Sequence, residues 1–124
     1  MHHSRLAGFI IDCQHTELGA AATFWSGALG LARGGAEGEA YERLDGSALG
    51  LAIEVQRVDH PSRVHLDIES DDVDAEVTRL EALGARRVTQ VRTWWVMEAP
   101  TGQRFCVVRA KTPLEGRPGA TRWG

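Results

Sequence analysis

Arg63-Val-His-Leu-Asp-Ile-Glu-Ser-Asp-Asp-Val-Asp-Ala-Glu-Val-Thr-Arg-Leu-Glu-Ala-Leu-Gly84 is the stretch whose reading decides the fold. It reads as a β-strand that turns sharply into an amphipathic helix. In the strand, Val64, Leu66 and Ile68 point one way, and His65, Asp67 and Glu69 the other. An apolar face for a helix to cover, with titratable groups opposite, implies a sheet with one wet, concave side. Asp71 or Asp72 is placed to cap the helix. Val73, Val77 and Leu80 form its apolar stripe, and Gly84 supplies a left-handed stop.

Upstream, Gly8 to Cys13 reads as a short, mostly apolar strand that includes Asp12. Residues 1–6 read as a solvated polar lead. Thr16 is a plausible N-cap for a helix from Leu18 to Leu29, which Gly30 ends. Phe24 and Trp25 read most simply as core residues of that helix. Gly34, Gly35 and Gly38 predict a mobile loop, with no helix start behind them to make a phosphate site. Tyr41 to Leu44 reads as a strand and Asp45-Gly46 as a hairpin turn. The returning strand, from about Leu49 to Val58, sets Ile53 and Val55 on one face and Glu54 and Gln56 on the other.

Downstream, Ala85–Val91, Thr93–Glu98 and Gln103–Arg109 read as strands, and Lys111 to Gly124 as an irregular tail pinned at Leu114 or Trp123. Both halves thus run strand, helix, Leu-Gly, loop, strand, Gly turn, strand. Leu29-Gly30 and Leu83-Gly84 recur at nearly the spacing of Gly46 and Gly102. The expectation is an α+β fold of two βαβββ modules whose curved sheets form a cup, with a helix behind each. One domain over 7–110 is expected, with modules at 7–58 and 62–110 and a tail at 111–124.

Composition is consistent with this. The chain has 124 residues, 43% hydrophobic and 25% charged, which suits one soluble globular domain. A net charge of −3 gives no basic footprint, so nucleic acid is not an expected partner. No apolar run is long enough to span a bilayer, and the start lacks a signal-peptide core. Cys13 and Cys106 stand far apart in sequence, so reduced thiols and a cytoplasmic setting are expected.

The duplicated pattern resembles the vicinal oxygen chelate superfamily: glyoxalase I, bleomycin-resistance proteins and extradiol dioxygenases. Phe24-Trp25 followed by Ala28-Leu-Gly30 is similar to the family's first helix end. His65-Leu-Asp-Ile-Glu-Ser-Asp-Asp-Val-Asp74 is similar to its second-module strand entry, and Ala99-Pro-Thr-Gly-Gln-Arg-Phe105 to its last hairpin. The chain is closest to the small bacterial glyoxalase-like domains, over about residues 7–109. The resemblance implies a homodimer and, in members that use metal, a divalent ion held by the first and last strand of each half. His65 matches one ligand position. Cys106 falls where Glu is usual, and a thiolate suits zinc better than hard-oxygen ions. Gly8 or Phe9 leaves a third position without a ligand, and Glu54 or Gln56 offers the fourth. A divalent metal is therefore possible but not favoured.

Two readings follow from different classes. One is a small-molecule binding protein of the drug-sequestering kind, with an aromatic or planar ligand held by His65, Gln56, Glu54, Asp67, Trp95 and Cys106. The other is a metal-dependent lyase, isomerase or dioxygenase. One of Trp94 and Trp95 should face the cup, and Trp95 is the choice. Cys106 is expected to behave as a small hydrophobe. Asp71, Asp72 and Asp74 are helix-capping acids, since the spacing lacks the Gly and distal Glu of a calcium loop.

Overall fold

A computed structural model describes residues 1–124. The chain divides into two compact units, Gly8–His65 and Met1–Ala7 with Leu66–Gly124. The α+β fold and the strand–helix–strand order of both halves agree with expectation.

In the unit Gly8–His65, the later part of β1 (His2–Gln14) runs into α1 (Leu18–Leu29), β2 (Arg33–Glu37), β3 (Tyr41–Leu44) and β4 (Ala52–Val58). β4 lies parallel to β1 and antiparallel to β3, which pairs with β2. Ala21 of α1 packs on Leu44, Ile53 and Val55, with Phe9, Cys13, Leu18 and Trp25 around them. Gly8 is obligatory here: a Cβ would fall 1.7 Å from the Ala52 carbonyl oxygen. So one of the two positions without a side-chain ligand is a close backbone approach, and the other, Phe9, packs in the core.

Local signals mislead at four places in this unit. Glu17, not Thr16, precedes α1 as its cap, and it makes no side-chain cap bond. The Thr16 hydroxyl instead donates to the Gln14 carbonyl at 3.0 Å. The glycine-rich segment is a strand, β2, rather than a loop. Beyond Asp45-Gly46 the chain makes a single 3-10 turn at Ser47–Leu49 instead of a tight hairpin, with Asp45 accepting from the Ser47 N–H at 3.0 Å. Phe24 is 62% exposed, so only Trp25 of the aromatic pair belongs to the core.

The other unit holds the rest of β5 (Arg63–Ser70), α2 (Val73–Ala82), β6 (Arg86–Val91), β7 (Trp94–Glu98) and β8 (Arg104–Arg109). β5 runs parallel to β8, β8 antiparallel to β7, and β7 antiparallel to β6. Val77 and Leu80 of α2 pack on Met97 and Val107. Asp72 caps α2 by accepting from the Ala75 N–H at 3.0 Å, and Gly84 takes φ +108°.

Both chain ends are built into this unit, which corrects the reading of residues 1–6 as a solvated lead. His2–Ser4 pair antiparallel with β9 (Thr121–Trp123) inside the supposed irregular tail. His2 is buried, and its Nε2 lies 2.8 Å from Glu76 Oε1; His3 Nδ1 lies 2.7 Å from Asp71 Oδ2. The Trp123 indole N–H donates to Ser4 Oγ at 2.9 Å, and Leu114 is buried. No helix is long and apolar enough to cross a membrane.

Candidate functional site

Strand alternation sorts the polar residues of Gly8–His65. Asp12 stands opposite Gln56 and Ile10 opposite Glu54, while Tyr41 and Arg43 on β3 stand opposite the same two β4 residues. Since Ile53 and Val55 pack under α1, the face carrying Asp12, Glu54, Gln56, Tyr41 and Arg43 is the one α1 leaves uncovered. The parity read from sequence for Glu54 and Gln56 therefore holds. Gln56 Nε2 donates to the Tyr41 hydroxyl at 2.8 Å.

The centre of this wall is a pair. His65 Nδ1 lies 2.8 Å from Asp12 Oδ2, and the Asp12 side chain is only 2% exposed. With Asp12 ionised, Nδ1 carries the proton and donates, which places the ring's lone pair on Nε2. Two further nitrogens stand off: His60 Nε2 and the Arg63 guanidinium Nε are each 3.9 Å from Oδ2. The second oxygen, Oδ1, is buried and accepts no hydrogen bond. An under-satisfied buried carboxylate is costly unless something uses it.

Asp12 was visible in the sequence only as an acid inside an apolar strand. That is a strong sign of a specific partner, since Asp is seldom buried unpaired. Nearby, the Cys13 thiol is pushed above its usual pKa by burial and by the negative charge of Asp12, against a hydrogen bond with Trp25. It is therefore held as the thiol and is no nucleophile.

In the other unit, Asp67 stands opposite Cys106 in the β5–β8 register.

Trp95 does not belong with these residues. It packs beside Met97, Phe105 and Val107 on the side α2 covers, its indole N–H buried without a partner and the Arg87 guanidinium 5.0 Å from its ring centre. The alternate residue, Trp94, takes the side of Val96 and Cys106. Choosing Trp95 was a parity error: Trp95 and Met97 continue the apolar row that Phe105 and Val107 also form.

A family model described as a glyoxalase-like domain matches residues 8–108. The chain belongs to that family. Among solved structures, the glyoxalase-like domain is similar to the NAD-dependent benzaldehyde dehydrogenase from Legionella pneumophila, at 11% identity and a TM-score of 0.61, covering 83% of this chain and 99% of that one. It is also similar to the Mn(II)-bound glyoxalase from Novosphingobium aromaticivorans, at 20% identity and a TM-score of 0.58. That match covers 90% of this chain and 43% of the glyoxalase. Methylmalonyl-CoA epimerase from Mycobacterium tuberculosis matches at 14% identity and a TM-score of 0.58, covering 90% and 93%. Likeness at these identities concerns the fold alone. No curated protein sequence matches this one.

Proposed function

We propose that this glyoxalase-like domain binds a small carbonyl compound on the uncovered face of Gly8–His65 and moves a proton on it with His65. The observation that carries the proposal is the 2.8 Å bond between His65 Nδ1 and buried Asp12. Passive binding has no need of a buried charge, whereas proton transfer does. Asp12 fixes the tautomer and makes Nε2 the more basic. Nε2 takes the proton from the carbon next to the carbonyl, the C–H electron pair moves into the enolate, and return of the proton regenerates the imidazole. Glu54 and Gln56, on the same face, contribute to holding the ligand.

The test is exchange of the α-hydrogen in D2O, followed by proton NMR, over a panel of carbonyl compounds that includes methylmalonyl-CoA. Wild-type protein should exchange at least one panel member about 10²-fold faster than His65→Ala. Equal rates for every compound would leave only the binding-protein reading.

A further inference from the structure

In the same unit, between α1, the end of β1 and the start of β5, lies a groove of about 480 Å³ whose lining does not include His65. We propose that it is a second small-molecule site, for an amphipathic anion with an aromatic or branched apolar body and one carboxylate. Its floor and walls are Ile11, Ala20, Phe24, Trp25 and Val64. Phe24 and Val64 are 62% and 57% exposed, so large apolar side chains stand open to water where α1 does not close over β5. The Phe24 and Trp25 rings meet edge to face at 5.0 Å and give one wall two aromatic surfaces. The volume is within the range that takes a drug-sized ligand.

The charges choose the ligand's polar end. Of the two ionised side chains lining the groove, the Asp12 carboxylate is 2% exposed and bonded to His65, so a cation finds no accessible acid. The Arg63 side chain is 46% exposed and stands 3.9 Å from Asp12, able to turn toward an incoming carboxylate. The hydroxyls are already engaged, Thr16 with the Gln14 carbonyl and Ser62 with the Gln14 N–H. An anion on Arg63 with its apolar body on Phe24 and Val64 is the occupant these groups fit.

The test uses 2-naphthoate and its uncharged amide as probes on the full chain, followed by backbone amide NMR. Naphthoate should bind saturably with shifts centred on Cys13, Phe24, Arg63 and Val64. Binding should weaken at least tenfold for the amide, and equally for Arg63→Gln. Shifts centred on Tyr41, Glu54 and His65 instead, or equal affinity for acid and amide, would overturn the proposal. So would a dimer in sedimentation that Phe24→Asp dissociates, since a second copy would then cover the groove. Because Phe24 is exposed, that substitution should leave the fold intact.

Discussion

Each unit buries a carboxylate that meets a histidine, and the two are treated in opposite ways. Glu76 on α2 is wholly buried and saturated: Arg79 donates to it through Nε at 2.8 Å and Nη2 at 2.7 Å, and the His2 ring closes on Oε1 at 2.8 Å. The Trp123 ring in turn lies 3.8 Å from the Arg79 guanidinium. Asp12 on β1 is nearly as buried, yet it has one short bond, an imidazole and a guanidinium nitrogen each at 3.9 Å, and an oxygen with no partner. A carboxylate whose two oxygens are both taken up by hydrogen bonds holds a fold together. One that spends its single strong bond on an imidazole decides which of the two ring nitrogens carries the proton. The difference separates a clasp from a reactive pair, although both are acids paired to a histidine.

Asp12→Asn should break the comparison most sharply. It keeps the shape and can still bond to His65, but removes the charge that fixes the tautomer. Exchange should fall by about 10²–10⁴-fold, while the urea midpoint moves by no more than about 1 kcal/mol equivalent. A rate unchanged by the substitution would make Asp12 a structural acid like Glu76. Arg79→Met should do the reverse. Removing one partner of a buried pair costs about 3–5 kcal/mol, read from urea unfolding, with exchange per folded molecule unchanged. A loss below about 1 kcal/mol would show that His2 alone satisfies Glu76.

The sequence made the clasp less legible than the strand that carries the reactive pair. β5 and α2 could be read because every local signal agrees: alternation from Val64 to Glu69, an Asp72 cap and a Gly84 stop. His65 could be singled out, and Glu54 and Gln56 could be set on one face, because strand parity is local. Asp12 could be seen but not paired, since its partner lies 53 positions away and the meeting depends on how the strands order. His2 and His3 gave no local sign of burial. Their carboxylate partners lie on a helix and a loop far along the chain, and polar residues at a terminus are more often solvated. Trp95 was misplaced for a smaller reason: adjacent tryptophans on a strand leave the parity open until the neighbouring apolar row is counted.

The gentlest test of the comparison is pH. Burial pushes Glu76 up, but hydrogen bonds from Arg79, His2 and Ser4 together hold it below its ordinary value near 4.5. Burial likewise opposes, and the bonds from His3 outweigh it, at Asp71, which is also held low. A carboxylate whose folded pKa is depressed binds protons more readily when unfolded. Its stabilisation is therefore complete above the unfolded value and is lost as pH falls through the folded one. The urea midpoint should hold steady from pH 7 to about pH 5 and fall steadily below that. In Arg79→Met one of the groups holding Glu76 down is gone, so the curve should start lower and slope less between pH 5 and pH 3. Two parallel curves would mean that the acid sensitivity lies elsewhere, and Glu76 would lose its place as the saturated member of the pair.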